Sequence, residues 1–320
     1  MTLPGQSKQH NCEKKEKQIT GGLIVAAGKT SAGNEACPLL KIGSISVVKR
    51  IVLTFQQVEI SPIVVITGYR AEEIEHDLAD YGVIFLRNPE YETSQMFDSA
   101  KIGLDFLQNK CDQVLFNPVN IPLFTPETIQ KMMECGEKVI SPSYHGKVGH
   151  PLMLSSKLIP GILKYAGNRG MRGAIENMGV ERQGLEIEDE GILHNTDDIE
   201  RLDQLLEKHN HQILHPFVRI SIEKESLFFN SRTKLLLILI QDTHSVRSAC
   251  RRIALSYSKA WNMLNELEQE LGYAVVERKH GGSKGGKTYL TNEGLEFLEK
   301  YQQFEQNIRQ YAKEEFDRLF

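Results

Sequence analysis

The chain has 320 residues, 40% of them apolar and 25% charged, with a formal net charge of −4, which suits a soluble globular protein of two domains. Its most apolar run, Leu235 to Ile240, is far too short to cross a bilayer, and its five widely spaced cysteines form no CxxC pair, so neither a membrane span nor a zinc or dithiol motif is expected. Residues 1–225 carry 24 basic against 30 acidic side chains and the remainder 14 against 12, which assigns any nucleic-acid face to the second part.

Residues 1–20 are polar, include Lys14-Lys-Glu-Lys17 and lack the apolar core of a signal peptide, so a disordered tail and a reducing, cytoplasmic location are expected. From Gly21 short apolar runs alternate with amphipathic stretches. Leu23–Ala26, Ile63–Thr67, Val83–Arg87 and Val114–Phe116 read as strands; Val47–Val58, Ala71–Asp80 and Met96–Leu107 read as helices. Such βαβ repetition predicts parallel strands with crossover helices on both faces and a ligand at the carboxyl ends of the strands. The glycine-bearing segment Ala26-Ala-Gly-Lys-Thr-Ser-Ala-Gly33 follows the first strand, where backbone amides hold a phosphate or where an ordinary connection runs.

Leu23-Ile-Val-Ala-Ala-Gly28, Asn88-Pro with Met96 and Ser99-Ala-Lys101, Pro118-Val-Asn-Ile-Pro-Leu123, Gly149-His-Pro151, Gly167-Asn-Arg-Gly170 with Arg172, and Asn195-Thr-Asp-Asp198 follow in an order that resembles the MobA/MocA family of molybdenum-cofactor nucleotidyltransferases over roughly residues 21–209. The resemblance implies a nucleotide site at Ala26, Ala27, Gly28, Lys29, Ser99 and Lys101, a metal site at Asn120, Asn195 and Asp197, and Mg²⁺ with CTP or GTP, or molybdopterin, as ligands. It also exposes departures. The family's loop arginine and following lysine are Ala32 and Cys37 here, its metal aspartate is Asn120, and Asn168 stands where an acid is common in the Gly-rich turn. Phosphoryl transfer depends on positioning and charge neutralisation, so two lost cations and one lost carboxylate imply an impaired catalytic site, with Lys29 as the nearest substitute cation. His145 and His150 lack a neighbouring acid and make a poor metal pair; His209, His211 and His215 are expected on the surface.

Asp198–His209 reads as a closing helix, and the alternation of Val218, Ile220 and Ile222 as a strand or extended connector. Asn230-Ser-Arg232 then opens a helix with Leu235, Leu236 and Leu239 on its core face. Val246, Ala249, Cys250 and Ile253 make a second apolar face, and Ala260, Leu264, Leu267 and Leu271 a third, which turns Ser258, Asn262 and Asn265 outward. Tyr273–Arg278 and Thr288–Leu290 flank the Gly-rich, basic segment from His280 to Lys287 as a hairpin. Between His244 and Leu290 eight Lys and Arg face four acids. This pattern suits a helix-turn-helix in a major groove, although a plain helical pair with a solvated face has the same spacing.

Ser256-Tyr-Ser-Lys-Ala-Trp261, Val276-Glu-Arg278, Gly281-Gly-Ser-Lys-Gly-Gly286 and Leu290-Thr-Asn-Glu-Gly294 resemble the winged-helix domain of the ModE regulators, itself similar to the LysR type, over roughly residues 217–316. The resemblance implies double-stranded DNA as partner, contacted by Arg247, Arg251, Ser256, Tyr257, Ser258, Lys259, Asn262, Lys284 and Lys287, and a homodimer built on the helix Asn292–Phe316, whose apolar stripe is Leu295, Leu298, Phe304, Ile308 and Tyr311. The expected fold class is therefore α/β. A Rossmann-like doubly wound nucleotidyltransferase domain (21–210) and a connector (211–230) precede a winged helix-turn-helix domain with a dimerisation helix (231–320). The expected function is a DNA-binding transcriptional regulator tied to molybdenum cofactor or molybdate metabolism, with a nucleotide or pterin sensed by the first domain; an active cytidylyl- or guanylyltransferase fused to a DNA-binding module is the alternative.

Overall fold

The structure, a computed structural model, describes residues 18–29, 37–279 and 287–320. The expected tail therefore lies outside the described residues for all but its last three positions, as do Ala32 and the wing tip with Lys284. The chain lays down β1 (Thr20–Ala26), a small hairpin of β2 (Lys41–Ile42) and β3 (Ile45–Ser46), α1 (Val47–Gln57), β4 (Ile63–Thr67), α2 (Ala71–Asp77), β5 (Ile84–Arg87), α3 (Met96–Leu107) and β6 (Gln113–Pro118). After these come α4 (Pro126–Cys135), β7 (Val139–Tyr144), β8 (Lys147–Val148), β9 (Leu152–Ser155), α5 (Ile159–Lys164), α6 (Gly170–Asn177), β10 (Gln183–Glu186) and α7 (Ile199–Gln212).

The main sheet runs β10-β7-β9-β6-β1-β4-β5, with β8 paired to β7. β6, β1, β4 and β5 are parallel neighbours, as the βαβ reading requires. The uniform parallel pattern fails at β9, which is antiparallel to both β6 and β7. Only a short hairpin lies between β7 and β9, too little chain for a crossover, so the strand must enter reversed. The sheet is mixed.

Alternation along β1 divides its side chains between two cores: Leu23 and Val25 face α3, α5 and α6, whereas Ile24 and Ala26 face α1, α4 and α7. Two glycines let the helices come this close. A Cβ on Gly22 would lie 2.6 Å from the Phe55 ring of α1, and one on Gly103 of α3 would lie 2.2 Å from Leu23. The central strand is thus clamped on both faces, and the loop that leaves it has a fixed origin.

The last third contains β11 (Ile222–Glu223), β12 (Leu227–Phe229), α8 (Ser231–Thr243), α9 (Val246–Arg252), α10 (Tyr257–Leu271), the wing strands β13 (Val276–Lys279) and β14 (Lys287–Leu290), and α11 (Asn292–Leu319). Of the expected connector strand only Ile222–Glu223 forms, where β12 turns back to pair with it. Asn230, Ser245, Ser256 and Thr291 cap the four helices through their side chains. The core face of α8 is Leu236, Leu237, Leu239 and Ile240, with Leu235 only half-buried, because this helix is covered on several sides. Helix α9 lies against β5, the edge strand of the main sheet. Asp242 clasps the two regions: it accepts from Lys110 of the first at 2.6 Å and Arg252 of the second at 2.8 Å, and both cations lie 4.7 Å from the Phe106 ring.

Candidate nucleotide and nucleic-acid sites

The loop after β1 emerges at the carboxyl ends of β1, β4 and β6. Tyr69 N–H donates to Ala27 O at 3.0 Å and Val119 N–H to Val25 O at 3.1 Å, which ties the segments after β4 and β6 to it. Ala26 and Ala27 are buried; Gly28 and Lys29 are exposed. Lys29 Nζ donates to Glu92 at 2.8 Å and lies 5.5 Å from the Tyr69 ring. The hydrogen bond to Glu92 holds the Lys29 ammonium further toward its charged form. In this conformation the loop's one described cation is occupied by a carboxylate, and a phosphate would have to displace it.

Three more expected residues converge beside that loop. Thr196 N–H donates to Asn120 O at 2.9 Å, and the Cys37 thiol lies 3.1 Å from the Thr196 hydroxyl. Asn120, Cys37 and the Asn195–Asp197 turn are therefore neighbours in the structure. Their chemistry differs from a metal-dependent transferase site. Cys37 is buried and burial pushes its thiol up, so the position supplies no charge. The Asn195 amide oxygen already accepts Asp197 N–H at 3.0 Å; of the two exposed carboxylates that follow, Asp198 caps α7 by accepting Arg201 N–H at 3.1 Å, which leaves Asp197 without that task. Among the described residues no three His, Cys, Asp or Glu are grouped to hold a metal. Mg²⁺ favours carboxylates with near-octahedral geometry, and this donor set does not fit it.

Ser99 and Lys101 occupy other roles. Ser99 is buried and accepts from Asn88 Nδ2 at 2.9 Å, a bond that braces the segment from Asn88 to Ser94; Lys101 donates to Tyr165 O at 2.5 Å and covers the Phe97 ring at 4.7 Å. Both polar groups are thus engaged by partners outside the loop. His150 stands edge-on to Phe116, and burial pushes its imidazole down to about 4, so it is neutral at physiological pH. His209 corrects the surface expectation: it is buried between Arg50 and Phe124, with Nε2 3.2 Å from Phe124 O, because α7 turns this position inward.

The second region carries the other candidate site. Ser256, Tyr257, Ser258, Lys259 and Asn262 are exposed along α10, over a buried face of Ala260, Leu264 and Leu267, and Arg247 and Arg251 are exposed on α9. Lys287 pairs with Lys279 at the outer end of the described wing. Glu268 fixes the wing to α10 by accepting Val275 N–H at 2.8 Å and Val276 N–H at 3.0 Å. Reading the sequence missed a ring ladder on the outward side. Arg247 lies 5.6 Å from the Tyr257 ring, Tyr257 stands edge-on to Trp261 at 6.0 Å, and Arg278 of the wing lies 3.6 Å over Trp261. The i, i+4 spacing of Tyr257 and Trp261 was its available signal.

Comparison with known proteins agrees with this geometry. The MobA-like NTP transferase domain matches residues 22–183, and the bacterial regulatory helix-turn-helix of the lysR family matches residues 235–295. Over 78 residues the chain is 32% identical to the transcriptional regulator ModE of Yersinia pestis and to the DNA-binding transcriptional dual regulator ModE of Escherichia coli K12. Each match covers 24% of this chain and 30% of the relative, so the chain spans under a third of the length of these regulators. In structure it is similar to a nucleotidyl transferase from Methanothermobacter thermautotroptrophicus, with a TM-score of 0.51 and 19% identity over 60% of this chain and all of that one, a likeness of fold. A nucleotidyltransferase-like region is thus fused to a helix-turn-helix region, and the chain belongs to the MobA-like NTP transferase domain family.

Proposed function

We propose that the chain is a sequence-specific DNA-binding transcriptional regulator whose nucleotidyltransferase-like domain acts as a ligand sensor with an impaired catalytic site. One contrast carries the reading. The helix-turn-helix keeps an exposed polar and basic face on a well-capped helix, whereas the first site has a buried neutral thiol at Cys37, an amide at Asn120 and a lysine paired with Glu92. Phosphate contacts require cations on one surface, and among the described residues the second region supplies them together. The link to molybdenum cofactor or molybdate metabolism rests on the resemblance of both regions to proteins of that chemistry. A nucleotide or pterin is the ligand that such a pocket would sense.

A homodimer completes the proposal. Phe304, Ile308 and Tyr311 remain exposed along the outer half of α11, while Leu298 and Tyr301 are buried at its inner half. A stripe left bare on a long helix suits a two-fold partner, and two copies would read a palindromic site.

The test is fluorescence anisotropy of the purified chain with labelled duplex DNA across a salt series, with pyrophosphate release from CTP and GTP measured in parallel. Retention on the duplex that weakens steeply with salt, and is lost in Arg251→Ala with Lys259→Ala, is expected without pyrophosphate release. Turnover in the presence of molybdopterin would favour the fused active transferase instead, and absence of retention at low salt would remove the regulator reading.

A further inference from the structure

A cleft of about 1170 Å³ separates the first domain from the helix-turn-helix. Glu72, Glu75 and Asp80, on and just after α2, line one wall; Arg251, Ser256 and Lys259 line the other. Several of the charges around it are already matched. Glu75 is held by Arg87 through two bonds of 2.8 and 2.7 Å, and Arg252 is held by Asp242. Arg232, at the base of the cleft, donates to Ala254 O in the turn of the helix-turn-helix at 3.1 Å and reaches Asp80 across the gap at 3.8 Å. Arg251 and Lys259 form no ion pair among the described residues, and Glu72 and Asp80 are the exposed acids opposite them.

The side chains that would meet duplex phosphates thus line the same cleft as carboxylates of their own chain, and Arg232 already reaches one of these across it. Ser256 caps α10, so the positive end of that helix opens toward the same space. A duplex seated on α10 would bring its phosphates against Glu72 and Asp80. The contact cannot satisfy both partners at once, because like charges a few ångströms apart in a partly desolvated gap repel and the cations can neutralise only one anion set.

We infer that the acidic face at α2 and the basic wall formed by Arg232, Arg251 and Lys259 are an intramolecular docking surface that competes with duplex DNA. The first domain holds the reading helix in a weakened state, and a change in that domain which moves α2 raises DNA affinity. This deepens the DNA-binding reading above and rests on it. It also gives the clasp at Asp242 a part: the clasp anchors one side of the interface while the cleft opens on the other.

The experiment uses the full chain and a labelled mixed-sequence duplex at low ionic strength. Glu72→Gln with Asp80→Asn removes the acidic wall. Glu134→Gln with Glu137→Gln removes the same charge from exposed positions at the end of α4, which packs on β7 toward the other edge of the sheet. The cleft variant is expected to bind at least about fivefold tighter than the unaltered chain, since electrostatic complementarity at a contact acts locally, and the control variant is expected to change little. Equal tightening in both variants, or in neither, overturns the inference. Amide exchange supplies a second readout: duplex binding is expected to speed exchange in α2 of the unaltered chain, and unchanged or slower exchange there overturns it too. Failure of the DNA-binding reading is distinct, since the unaltered chain and all variants would then show no retention on the duplex.

Discussion

Replacing Arg278 by alanine isolates the coupling between the reading helix and the wing. Arg278 lies 3.6 Å over the Trp261 ring, and Trp261 Nε1 is buried without a hydrogen-bond partner among the described residues, so much of the indole's described cover on that side is the guanidinium. A cation over a partly desolvated indole contributes about 1 kcal/mol, and losing it leaves β13 held by its pairing with β14 and by Glu268. Stability should fall by about 1 kcal/mol, and duplex affinity by about fivefold if the wing shares the contact surface. Trp261 is the single tryptophan of the chain, so its emission reports this site alone. In Arg278→Ala the emission should shift to longer wavelength and acrylamide quenching should rise; Arg278→Lys, which keeps the charge and loses the planar stack, should fall between. Unchanged emission and quenching in Arg278→Ala would refute the coupling.

Other outcomes follow from the same geometry. Glu92→Gln frees Lys29 and should strengthen nucleoside triphosphate binding by roughly threefold or more in calorimetry, while Lys29→Ala should abolish that gain. Asn120→Asp adds a carboxylate beside Asp197 and should make triphosphate binding dependent on Mg²⁺; binding that ignores Mg²⁺ in this variant would show that these neighbours are not a metal site. Leu264→Ala empties the centre of the helix-turn-helix core and should cost about 2–5 kcal/mol in denaturant unfolding, without altering triphosphate binding. His209 has its folded pKa depressed to about 4 by burial, with Arg50 adding to it, so the unfolded chain binds the extra proton between its ordinary value of 6.5 and that point. Stability should therefore be lost as pH falls through this window, by an amount on the order of 3 kcal/mol from this residue, and His209→Gln should flatten the profile.

What the sequence discloses here is what depends on near neighbours. The helix Met96–Leu107 and the helix start at Asn230 follow from local spacing and side-chain chemistry, and the structure reproduces them. The outward set on α10 is equally local, because one buried face determines the opposite one. Lys29 shows the limit. Its chemistry was visible in the loop, but its partner Glu92 lies 63 residues on, beyond β5, and no periodicity links the two. Ser99 likewise matched a motif by position while its hydroxyl serves Asn88 in a buried bond. His209 carries a polar ring that local pattern assigns to water, until Arg50 from α1 and Phe124 O close over it. The reversed β9 belongs to the same class, since strand direction is set by the length of chain available for the return and not by the strand's own residues.

The position of α9 against β5 has a further consequence. β5 is the last strand of the sheet, and its outer side presents backbone donors and acceptors with no neighbouring strand among the described residues. Such an edge recruits strands from other molecules unless something blocks the approach. Here the obstruction is borrowed from the second domain. A fragment ending after α7 would carry the same sheet with its edge laid bare, and should form open-ended aggregates at concentrations where the full chain does not. The fusion thus protects the sheet-bearing half from its own geometry, whatever signal passes between the two.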